Sequence, residues 1–169
     1  MANSVDSIVR LYGTTSSISL FEKVHMNEAK DDVLFGRFLG EGESSCGAYL
    51  CDVCYREGAD AQPYEASLYL YLDSRWGEPM DWFRKIIAIH HDITFEISWS
   101  SAESLFVGSL EGVDGLVTKE EHRSDRELTV EDLFIMGIGD CEACDCPSVE
   151  VLFGEACPTC AERELEESK

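Results

Sequence analysis

Six of the eight cysteines in this 169-residue chain fall into three Cys-x-x-Cys units, Cys51/Cys54, Cys141/Cys144 and Cys157/Cys160, leaving Cys46 and Cys146 over. In a chain read as cytoplasmic, that many thiols argue for metal before disulfide. A Cys-x-x-Cys turn aims two sulfurs at one ion, and two such turns supply the four thiolates of a closed tetrahedral zinc site. Cys141-Glu-Ala-Cys144, twelve intervening residues and Cys157-Pro-Thr-Cys160 have that arrangement, with Val149, Val151 and Phe153 alternating as a strand inside the loop. One zinc ion is therefore expected on Cys141, Cys144, Cys157 and Cys160.

Cys46, Cys51 and Cys54 form a second constellation that lacks a fourth ligand. Cys146 is the preferred one, ahead of His90, His91 and His25, and would tie the two cysteine-bearing segments through a second zinc ion. Pairing Cys51/Cys54 with either C-terminal pair is an open alternative. The spacing Cys46-x4-Cys51-x2-Cys54 also matches three ligands of a plant-type iron–sulfur cluster, but the next cysteine is remote and Tyr49 stands where small residues are expected. Cys157-Pro-Thr-Cys160 has a glutaredoxin-like form, yet nine residues after it cannot build the required sheet. His90 and His91 are expected as ordinary packed or exposed imidazoles.

Charge narrows the partners. The chain carries 34 Asp and Glu against 13 Lys and Arg, a formal charge of −21, and residues 140–169 hold only 9 of those acids. Acidity is thus spread along the whole chain. Affinity for nucleic acid comes largely from Lys and Arg displacing counterions, so direct nucleic-acid binding is disfavoured and a basic, nucleic-acid-binding partner is favoured. In that reading carboxylates imitate a phosphate array. Asp125, Glu127, Glu131 and Asp132, and Glu162, Glu164, Glu166 and Glu167 in the tail, are the candidate contacts. The alternative is a zinc-stabilised protein-interaction or regulatory module whose acidity serves only solubility. No Gly-rich phosphate loop, Gly-x-Ser-x-Gly elbow, His-Glu-x-x-His helix or deaminase motif is present, so a nonenzymatic protein is expected. No apolar run reaches the length of a membrane span, and the N-terminus lacks a signal-peptide pattern.

The elements that must position these residues follow from periodicity. Val5 to Tyr12 alternates as a strand, and Thr14 to Ser17 offers caps for a helix carrying Ile18, Phe21, Val24 and His25, with Ser19 and Glu22 spaced as a capping box. Val33, Phe35 and Leu39 predict a second strand, and the Gly-rich stretch at about 40–63 reads as a cysteine-bearing insertion. Leu68, Leu70 and Leu72 alternate, as do Ile93, Phe95, Ile97 and Trp99. Between them Pro79 opens a helix with Trp82, Phe83, Ile86, Ile87 and His90 inward. Leu105 to Leu110 completes a hairpin, and Thr129 caps a short helix that stops at Gly137. The three tryptophans, Trp76, Trp82 and Trp99, read as packing residues.

The run Tyr71-Leu-Asp-Ser-Arg-Trp-Gly-Glu-Pro-Met-Asp-Trp-Phe83, followed by Ile93-Thr-Phe-Glu-Ile97 and Leu105-Phe-Val-Gly108, resembles the core of a ferredoxin-like domain of small phage and plasmid proteins. The opening strand, Asn3 to Gly13, is similar to that family's start. The resemblance implies a mobile-element origin and a fold, and carries over no catalytic residue. The expectation is an α+β chain: a ferredoxin-like antiparallel sheet over 1–115 with helices on one face and a zinc-knuckle insertion, a connecting helix over 116–139, and a zinc-ribbon-like extension over 140–169. Its expected role is that of a phage-borne, DNA-mimicking inhibitor of a host defence complex, of the anti-CRISPR or anti-restriction kind.

Overall fold

The strongest alternation in the sequence builds the centre of the molecule. The computed structural model describes residues 4–138, in which four α-helices pack on one antiparallel sheet of six strands. The strands are β1 (Ser4–Gly13), β2 (Tyr49–Glu57), β3 (Ala66–Arg75), β4 (Thr94–Ser101), β5 (Phe106–Val113) and β6 (Leu116–Ser124), in spatial order β2-β3-β1-β4-β5-β6. The helices are α1 (Thr15–His25), α2 (Phe35–Phe38), α3 (Met80–Ile89) and α4 (Val130–Met136).

Period-two patterning puts Val5, Val9 and Leu11 of β1, Leu68, Leu70 and Leu72 of β3, and Phe95, Ile97 and Trp99 of β4 on one face. That face is buried against Ile18 and Phe21 of α1 and Trp82, Phe83, Ile86 and Ile87 of α3. Each such side chain contributes roughly 1.5–3 kcal/mol by leaving water. Two glycines of β5 keep the layers close. A Cβ on Gly108 would stand 2.3 Å from the Trp99 indole, and one on Gly112 would stand 2.7 Å from Ile87.

Local signals at the helix ends are largely those expected. Thr14 caps α1 through a bond from the Ser17 amide, in place of a box built on Ser19 and Glu22. Thr129 and Asp132 form a reciprocal capping box on α4, and Gly137 ends that helix in the left-handed region at φ 64°.

Four expectations are corrected. Val33 to Leu39 is not a strand: Val33 makes an isolated bridge to Met26, and Phe35 and Phe38, three apart, turn together as α2 toward Trp82 and His25. Segment 40–63 is not an insertion appended to the sheet, because β2 lies within it and pairs with β3 along its length. The sheet also crosses the boundary placed at 115, since β6 pairs with β5 from Leu116 to Ser124. Both missed strands lie at sheet edges, where exposed faces remove the alternation that betrays a strand. Finally, Trp76 follows β3 in a turn at φ 75° and is 76% exposed, whereas Trp82 and Trp99 are buried. Among the described residues no helix is long and apolar enough to cross a membrane.

Candidate functional site

Register assembles a surface on the sheet face turned away from α1 and α3. Asp6 of β1 pairs with Ser100, Ser100 with Val107, and Val107 with Arg123. The adjacent row runs Ile8, Ser98, Ser109, Glu121. The serines at its centre are too short to fill the space above the strands. These two rows therefore floor a cleft of about 260 Å³, and α4 closes it with Asp132 and Ile135. So α4 lies on the face opposite the other helices, a departure from helices on one face alone, and it covers Val107 as it does so.

Asp132 holds α4 in place. Its carboxylate accepts from Arg123 Nη2 at 2.6 Å and Nε at 3.1 Å, and from the Thr129 amide and hydroxyl at 2.8 Å each. Burial pushes its pKa up, but these donors outweigh burial and hold it below the usual carboxylate value. Expected as a partner contact, Asp132 is instead 0% exposed and occupied internally. Asp125, Glu127 and Glu131 around it are exposed. Glu162, Glu164, Glu166 and Glu167 lie outside the described residues.

The same sheet face carries tyrosines toward β2. Tyr12 stacks on Tyr64 with centroids 5.0 Å apart and meets Tyr69 edge-on at 6.2 Å, while Arg56 lies over Tyr69 at 5.4 Å. Burial first, then hydrogen bonding with Tyr69 and the charge of Glu96, raise the Tyr12 pKa. Beyond Tyr71, Asp73 faces Asp6 across the β1–β3 ladder and accepts hydroxyls from Ser4 and Tyr49, both at 2.8 Å. Asp6 has no hydrogen-bonded or ionic partner among the described residues, and its pKa is raised by burial and by Asp73.

The structure places Cys51 and Cys54 on β2. Cys51 is the extra residue where the β2–β3 register slips between Leu50 and Asp52, and Cys54 follows on extended backbone opposite Tyr69. Burial, with Asp73 and Asp6 nearby, raises the Cys51 thiol pKa. Among the described residues no group of three His, Cys, Asp or Glu side chains is gathered to hold a metal, and Cys146, the fourth ligand preferred for Cys46, Cys51 and Cys54, lies outside them. Cys141, Cys144, Cys146, Cys157 and Cys160 lie outside the described residues.

Of the histidines offered as spare ligands, His91 is exposed and its Nδ1 lies 3.1 Å from the Asp114 carbonyl. His25 and His90 are buried against each other, Nε2 to Nε2 at 2.8 Å, between the C-terminal ends of α1 and α3. Burial, and then His90, lower the His25 pKa to about 4. Periodicity marked both positions as inward but gave no sign of the pairing, because the partners are remote in sequence.

Sequence reasoning passed over Asp6, Ser98, Ser100 and Ser109. The available signal was Ser98-Trp99-Ser100, small polar residues on the outward positions of a strongly alternating strand. No family model, curated protein or solved structure matches this chain.

Proposed function

We propose that the protein is a nonenzymatic, acidic binding protein that docks on a basic, nucleic-acid-binding surface of another protein. One observation carries the reading. Around β6 and α4 the acids outnumber the cations, and Lys119, Arg123 and Arg84 are each engaged by carboxylates, Lys119 by Glu111 and Glu121, Arg123 by Asp132 and Glu121, and Arg84 by Glu120, while Asp125, Glu127 and Glu131 are exposed. The field presented outward there is negative, and such a field steers a basic surface into register.

In its narrower form the proposal is a phage- or mobile-element inhibitor of a defence complex that grips DNA or RNA, with zinc on Cys141, Cys144, Cys157 and Cys160 stapling the C-terminal segment. A ferredoxin-like core belongs to the same proposal. Its support is the chain order β1-α1-β2-β3-α3-β4, with the one-turn α2 added before β2, whose strands lie as β2-β3-β1-β4 with each neighbour antiparallel.

The test is capture of purified basic nuclease or restriction subunits on immobilised protein at about 100 mM salt, with DNA as competitor. Capture that is displaced by DNA and falls about tenfold in the D125N/E127Q/E131Q variant supports docking. No capture, or capture that DNA leaves untouched, overturns it and leaves acidity as a solubility device.

A further inference from the structure

On the open sheet face the exposed carboxylate of Asp6 has no hydrogen-bonded or ionic partner among the described residues. Asp6 and Asp73 stand directly opposite each other, an arrangement that destabilises a sheet when both are charged. Asp73 is satisfied by Ser4 and Tyr49, but Asp6 is not, and Asp6 lies at the end of the cleft beneath α4. Ile8, Val107 and Ile135 make the cleft apolar along its length, and Ser98, Ser100 and Ser109 place hydroxyls on its floor. At about 260 Å³ it is smaller than the usual pocket for a drug-sized ligand and suits one inserted side chain. The cation already lining it, Arg123, is taken up by Asp132, so an anion finds no unpaired charge there.

We propose that this cleft anchors an arginine side chain of the basic partner, an inference that rests on the docking reading above and names its recognition site. The arginine's aliphatic stem lies against Ile8, Val107 and Ile135, and its guanidinium donates to Asp6 and to the serine hydroxyls. Arginine is favoured over lysine because a planar group with five donors can engage a carboxylate and flanking hydroxyls together, where an ammonium offers a point charge. The Arg123–Asp132 pair in the same cleft is an internal example of that geometry.

The experiment is an amide-resolved NMR titration of the full chain with acetylated Gly-Arg-Gly amide, with Gly-Lys-Gly amide and spermidine as parallel arms. Shifts concentrated at Asp6, Ile8, Ser98, Ser100 and Ser109, with the lysine peptide about fivefold weaker or more, are expected. D6N should weaken the arginine peptide about tenfold without lowering thermal stability, since it removes the repulsion from Asp73. S109L, which fills the floor, should do the same by exclusion.

Shifts at Asp125, Glu127 and Glu131 as large as those in the cleft overturn the proposal, as does unchanged affinity in both variants. Tighter binding of spermidine there overturns the assignment to a protein side chain. Basic-protein capture that persists undiminished in D6N and S109L overturns the cleft assignment while leaving docking intact. Failure of docking itself shows separately, as no capture by the unaltered chain.

Discussion

Asp132 shows how one residue's surroundings decide its role. A carboxylate in an acidic stretch is ordinarily solvated, but this one caps α4 and binds Arg123, which reaches it from β6. Asp132→Ala should cost about 2–3 kcal/mol in urea unfolding, from a lost cap and an arginine left without its carboxylate. D125N, on an exposed residue, should move the midpoint little. The cap was legible, because Thr129 and Gly137 bracket an apolar turn. The burial was not, since it depends on a strand whose charged, two-faced sequence gives no period. Gly108 makes a complementary case. Its Cβ would enter the Trp99 ring, so Gly108→Ala should lose about 1–3 kcal/mol and alter Trp99 fluorescence, whereas Gly36→Ala, with open space at Cβ, should not disturb packing.

Between elements, the His25–His90 bond joins α1 to α3 in an apolar setting of Phe21, Phe38 and Trp82, with Asp92, bonded to Ser17, as the nearby carboxylate. Because the folded-state pKa of His25 is lowered to about 4 from 6.5, the unfolded chain binds the proton first as pH falls. The neutral pair's contribution is therefore complete above pH 6.5 and is lost on acidification from there toward pH 4, by up to about 3 kcal/mol. Denaturant melts between pH 7 and 4.5 should show that loss, and H25L/H90L should flatten it. Elements with one buried face, α1, α3, β1, β3 and β4, were readable from period alone. The edge strands β2 and β6 were not, because most of their residues on both faces are exposed and the sequence there carries no alternation.

For the whole molecule, the acid excess sets long-range behaviour independently of the fold, so association with a basic partner should weaken steeply between about 50 and 300 mM salt, read as a falling on-rate in surface binding. Elemental analysis of the full chain should find about one equivalent of zinc. Chelation should leave the near-ultraviolet signal of the buried tryptophans unchanged, because among the described residues the hydrophobic core contains no cysteine. The sequence by itself determined the α+β class, the central strands, the inward faces of α1 and α3, the caps of α4 and the sign of the surface field, all of which depend on local period, turn chemistry or charge. Tertiary structure alone decided that Cys51 and Cys54 share a strand, that His25 meets His90, that Asp6 opposes Asp73, and that α4 crosses to the open face to wall a cleft. Those features are contacts between residues far apart in the chain, fixed by strand order and register, on which local sequence exerts no direct constraint.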